Sequence, residues 1–231
     1  MLKQKISFAI AGALLCASNV FPASAQDEPR WNLESALQQL DRQAEGLETA
    51  YGAVTLEWKD AAGAVTRSGK GMGYVNREGE MRLETTEPDK RTILLTGDTV
   101  YVYEPARAIV EEFRLSQHPE RLEPFALLGF SATGERLQRE YLVTLLGEEV
   151  QGSQRLLGLE LTPKEDQART AVARMNIWVD QASWLPVRQA IAHTASGETL
   201  NINYSQMGRN VALDDDLFEA NWPKGVENIR R

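Results

Sequence analysis

The 231-residue chain has one cysteine, two histidines and no apolar run long enough to cross a membrane as a helix. The cysteine is Cys16, near the start, so the rest of the chain has no thiol nucleophile, no disulfide and no cysteine-ligated metal. His118 and His193 stand alone, without an HExxH pattern or a paired ligand, which argues against metal and general-base roles. Basic clusters are missing as well. Against 33 Asp and Glu stand 25 Lys and Arg, a formal charge of −8. That balance argues against nucleic acid and against an anionic membrane surface. Five residues separate Gly63 from Gly69-Lys70-Gly71, one too many for a P-loop, and the glycines lead into a strand instead of a helix. Ser131 is not in a GxSxG elbow, and Asp214-Asp215-Asp216 lacks the spacing of a calcium loop. The chain is therefore read as a non-enzyme that needs no cofactor and no metal.

At the N-terminus, Lys3 and Lys5 precede a short apolar run at residues 6–15, and Ala23-Ser24-Ala25 precedes Gln26. This is the pattern of a cleaved secretory signal over residues 1–25. The rival reading, a lipoprotein signal using Cys16, wants a small residue before that cysteine, and Leu15 stands there. Residues 26–231 are then one domain of ordinary size. Losing the two lysines takes the formal charge from −8 to −10. An exported domain without disulfides must be held by its core, and a 42 % hydrophobic content supplies one.

Most of that domain alternates like half-buried strand, with side chains pointing to opposite faces at period two. The clearest stretch is residues 69–105. Gly69, Gly71 and Gly73 alternate with Lys70, Met72 and Tyr74, giving a strand with one nearly bare face that bends or admits a close neighbour. Residues 80–87, 91–96 and 99–104 follow as short strands, with a hairpin turn at Gly97-Asp98. Consecutive hairpins form a meander, and a twisted meander curls toward a barrel. Before this stretch, Asn32 caps a helix to about residue 47, with Leu33, Leu37, Leu40, Ala44 and Leu47 on one stripe. Strands are also expected at residues 51–59, 65–75, 108–115, 141–146, 156–162, 171–180, 184–193 and 199–207. Residues 163–169 read as a charged loop, and Pro186 as an edge position or a bulge. Residues 119–130, with Phe125, Leu127, Leu128 and Phe130 crowded together, read as helical turns that cover the mouth of a sheet. The fold expected is mainly β (α+β), with about ten strands and one long helix.

Several short motifs, in order, carry a family resemblance. They are Asp60-Ala61-Ala62-Gly63, Gly69-x-Gly71, Glu87-Pro88-Asp89, Thr96-Gly97-Asp98, Tyr101-x-Tyr103-x-Pro105, Leu161-Thr162-Pro163-Lys164, and Leu217-Phe218 followed by Pro223-x-Gly225-Val226. Each is weak alone; their order and spacing together resemble the LolA family, periplasmic lipoprotein carriers of Gram-negative bacteria. The resemblance implies an unclosed antiparallel β-barrel with an N-terminal helix and a short helical lid over a hydrophobic cavity, with lipoprotein acyl chains inside. It implies acyl contacts at Val54, Leu56, Met72, Leu83, Leu95 and Val102 on the sheet, and at Phe125 and Leu128 on the lid. It places the family's lid-latching arginine at Arg77, where Glu78 follows in the position the family often gives to proline. The implied partners are an inner-membrane ABC exporter of the LolCDE type and a LolB-type outer-membrane acceptor, with the carrier a periplasmic monomer. Without the resemblance, the same apolar residues read equally well as filled core. A module for another lipid or glycolipid, or a sensor of mislocalised lipoproteins, is the alternative reading.

Overall fold

The computed structural model describes residues 31–118 and 133–231. The expected leader, and the expected lid with Phe125 and Leu128, lie outside the described residues. Helix α1 spans Leu33–Glu45 and is started by Asn32, whose side chain accepts from the Ser35 backbone N–H at 2.8 Å. The Ser35 hydroxyl answers by accepting from the Asn32 N–H at 3.1 Å, a reciprocal capping box. Its apolar stripe buries Ala36, Leu37 and Leu40.

The strands follow in chain order. They are β1 (Thr49–Lys59), β2 (Val65–Asn76), β3 (Met81–Glu87), β4 (Arg91–Thr96), β5 (Thr99–Glu104) and β6 (Ile109–Arg114). After helix α2 (Gly134–Glu140) come β7 (Tyr141–Gln151) and β8 (Gln154–Pro163), then helix α3 (Asp166–Ala171). The chain ends with β9 (Val172–Asp180), β10 (Pro186–His193), β11 (Thr199–Arg209) and β12 (Glu227–Arg230). All twelve lie in one sheet, in the order β12-β6-β5-β4-β3-β2-β1-β11-β10-β9-β8-β7. Two antiparallel meanders, β1 to β6 and β7 to β11, are joined where β1 pairs with β11. The edges, β7 and β12, do not pair with each other, so the sheet stays open. No helix among the described residues is long and apolar enough to cross a membrane.

Three features differ from the sequence reading. The C-terminal tail forms β12, which runs parallel to β6 and is fastened by Arg230 to Glu112 (3.3 Å) and Arg231 to Glu111 (3.2 Å). The loop expected at residues 163–169 instead carries the short helix α3. Pro186 sits at a register shift inside the sheet, the bulge of the two options and not an edge.

Candidate functional site

Cross-strand partners share a face, so the register states which side chains line each side of the sheet. Val54 and Leu56 of β1 stand opposite Gly71 and Gly69 of β2 and opposite Tyr204 and Ile202 of β11. Continuing outward, Gly73 and Val75 meet Leu83 and Met81, which meet Ile93 and Leu95, which meet Val102 and Val100. On the other side, Ile202 leads to Gln189, then to Ile177 and Leu159. One face of the whole sheet is thus a continuous apolar wall, and nearly all of its large side chains are buried in a single cluster. Val54, Leu56, Leu83 and Leu95 are all within this cluster, and Val102 packs against it half-buried.

Met72 is the exception among the sheet residues expected to meet cargo. Its partners are Ala53 and Glu84, and its neighbours on that face are Lys70 and Tyr74. The glycines of β2 occupy the inner positions, so Met72 is turned to the outer face. The bare inner surface of β2 has a steric cause. A Cβ at Gly71 would lie 2.2 Å from the Glu84 carbonyl oxygen, and one at Gly69 would lie 3.0 Å from that of Glu87. Strands β2 and β3 approach so closely at their register shift that position 71 admits no side chain.

The inner face is covered by α1 and α2. Thr133 caps α2, and the Gly134 N–H donates to Asp41 of α1 at 2.7 Å. A Cβ on Gly134 would lie 2.8 Å from the Leu37 carbonyl oxygen, so this contact also depends on glycine. Arg209 of β11 clasps the C-terminal end of α1, close to that contact. Its guanidinium donates to the Gln43 side chain at 2.8 Å, to the Gln43 carbonyl, and to the Ser183 carbonyl at 3.3 Å. Asn210 adds a bond to the Gly46 carbonyl at 2.7 Å and accepts from the Glu48 N–H at 2.9 Å. Beneath α2 a small cleft, open to solvent, runs over Leu161, Met175 and Ile177, with Arg136 and Glu140 among its lining. Those two pair at 3.1 Å.

Electrostatics follow from this enclosure. Burial drives the phenol of Tyr204, on the inner face, well above its ordinary pKa. Tyr141 at the cleft is raised too, first by burial and then by the nearby Glu140 carboxylate. Among the described residues, no three acidic or histidine side chains converge in a way that could hold a metal ion.

Arg77 lies in the turn after β2, more than half exposed, and pairs with Glu48 at 3.1 Å. Its partner in the described structure is thus the link between α1 and β1; the lid expected to receive it lies outside the described residues. Two residues that the sequence reading did not single out belong to the site. One is the clasp Arg209. The other is Gln189, fully buried on the inner face with neither amide atom hydrogen-bonded among the described residues. Strand β10 gave only a weak signal for it. Val187, Gln189 and Ile191 alternate there with Arg188, Ala190 and Ala192, so each set carries two apolar residues and one polar one.

An open apolar sheet under small helical covers is suited to holding hydrocarbon. Comparison with known proteins agrees in kind. Outer-membrane lipoprotein carrier proteins from Xanthomonas campestris pv. campestris and Xanthomonas oryzae pv. oryzae are each 26 % identical over 229 residues, covering 99 % of this chain and 98 % of theirs. An uncharacterised conserved protein from Thermus thermophilus shares the fold at a TM-score of 0.57 and 12 % identity, over 87 % of this chain and 100 % of that one. The family profile of the outer membrane lipoprotein carrier protein LolA matches residues 45–221. The chain belongs to the LolA family, a family of carriers and not of enzymes.

Proposed function

We propose that the protein is a periplasmic carrier that takes the acyl chains of lipoproteins onto the inner face of its sheet and delivers them to the outer membrane. The observation that carries this reading is the continuous apolar wall of an unclosed sheet, covered by helices that polar contacts hold in place. Acyl chains in water are costly at about 0.8 kcal/mol per CH2. Crossing an aqueous compartment therefore requires a protein that buries them and then releases them.

In this reading Val54, Leu56, Leu83, Leu95 and Val102 meet the acyl chains, as do Phe125 and Leu128, which lie outside the described residues. Met72 has no part in it. Arg77 acts as a gate, held by Glu48 in the closed state. Cargo comes from an ABC exporter of the LolCDE type and leaves to a LolB-type acceptor or directly to the membrane. The carrier works as a monomer.

The test is native mass spectrometry of the mature protein, prepared without detergent and mixed with a triacylated lipopeptide. A one-to-one adduct that disappears on adding outer-membrane vesicles supports delivery. Failure to bind lipopeptide while a phospholipid or glycolipid co-purifies moves the cargo to another lipid class.

A further inference from the structure

Gln189 is buried to 0 % exposure in an otherwise apolar wall. Its register partners are Ile177 and Ile202, and Ile191 follows two residues on along the same face. Ile177 also floors the cleft beneath α2. The amide offers two N–H donors and an acceptor oxygen. Neither Nε2 nor Oε1 meets a hydrogen-bond partner among the described residues. Buried amides are almost always paired, and an unpaired one calls for an explanation. Asp180, also buried and polar, shows the ordinary outcome: its carboxylate accepts from the N–H and the hydroxyl of Ser183.

Plain hydrocarbon on this wall would leave Gln189 unpaired. An acyl chain is not plain hydrocarbon at its head, where an ester or amide carbonyl accepts a hydrogen bond. An acyl amide also donates one, which matches both atoms of the side chain. Resting on the carrier reading above, we propose that Gln189 is a specificity-determining residue that hydrogen-bonds the carbonyl of an acyl ester or acyl amide. The inner face then reads the head of an acyl chain as well as its length. Lipoprotein anchors and phospholipids share this chemistry.

The test compares two lipopeptides of equal chain length, one with ester-linked acyl chains and one with ether-linked alkyl chains. Binding to the mature protein is followed by calorimetry. The ester compound is expected to bind about tenfold more tightly to the native protein, the worth of one buried hydrogen bond plus relief of an orphaned group. Gln189→Leu is expected to erase that preference while still binding the ether compound. Thermal melts establish that the variant is folded, and Gln189→Met serves if it is not. Equal binding of ester and ether by the native protein overturns the assignment and leaves the carrier reading intact; a buried water then serves the amide. A preference that persists in the variants overturns it as well. Binding of neither compound removes the carrier reading and this assignment with it. A diester phospholipid that competes with the same dependence on Gln189 places membrane lipid among the carbonyl sources; one that does not compete confines the source to lipopeptide.

Discussion

Arg209→Met tests the idea that α1 is a cover held by a clasp. Methionine keeps an unbranched, flexible chain on β11 and deletes the guanidinium. The loss is the set of bonds to the Gln43 side chain, the Gln43 carbonyl and the Ser183 carbonyl. Hydrogen bonds from a charged donor contribute about 1.5–3 kcal/mol each when buried. These are partly exposed and share one donor group, so the closed position of α1 should weaken by about 2 kcal/mol in total, discounting for solvent screening. Backbone amide exchange read by mass spectrometry should then quicken by roughly 10- to 30-fold across α1, while β8 and β9 keep their protection. If the cover must lift before cargo enters, apparent affinity scales with the open fraction and rises by a similar factor for an acylated lipopeptide. Handover to acceptor vesicles slows correspondingly. Unchanged exchange in α1 would show that the clasp holds nothing. Faster exchange with unchanged affinity would separate the cover from binding and refute the competition between α1 and cargo.

Gly71→Ala should cost at least about 2–3 kcal/mol in urea unfolding, because its Cβ meets the Glu84 backbone, whereas Gly63→Ala in an open turn should cost only the strain of its positive φ, about 1 kcal/mol. The raised pKa of Tyr204 means that the folded protein keeps a proton the unfolded chain loses above its ordinary value near 10. Its contribution is intact below about pH 10 and declines by about 1.4 kcal/mol per pH unit above it; Tyr204→Phe should flatten that slope in alkaline denaturation curves. Arg77→Leu removes an exposed ion pair and should change stability by less than about 1 kcal/mol, yet retain cargo at handover if Arg77 gates. Normal transfer by Arg77→Leu would remove the gate.

Much of this fold was written in period-two alternation, and the helix in a cap followed by a leucine stripe. The harder matter was which face looked inward. In β2 the eye goes to Met72, but the inner positions belong to glycines, chosen by the closeness of the Glu84 backbone. Nothing local announces that closeness. In β11, strict alternation from Tyr204 would put Arg209 outside. A register shift where β11 meets β1, with Gln206 at φ 52°, reverses the parity and brings Met207 and Arg209 in beneath α1. The four residues of β12 carry no apolar pattern, because their pairing is distant in sequence and is secured by arginines on glutamates of β6. Helix α3 has six residues, too few for a 3.6-residue period to show. Gln189 was hidden for a related reason, since neither face of β10 stands out as the apolar one until its neighbours are known.

The energetics of the cover bear on why such a carrier can let go. Helix α1 and the link that follows it bury Ala36, Leu37, Leu40 and Leu47 in the shared cluster. At about 1.5–3 kcal/mol per large side chain, that is roughly 6–8 kcal/mol tied to the closed position. If cargo must displace α1, as the carrier reading proposes, one acyl chain of about sixteen carbons, worth roughly 12 kcal/mol on full burial, would do so with only a few kcal/mol to spare. Polar bonds in the C-terminal half of α1, from Gly134 to Asp41 and from Arg209 to Gln43, would take up part of that surplus and bring the empty and loaded forms closer still. Because ligands shift an equilibrium only by their differential affinity for its states, near-balance between cover and cargo is the condition for transfer in either direction.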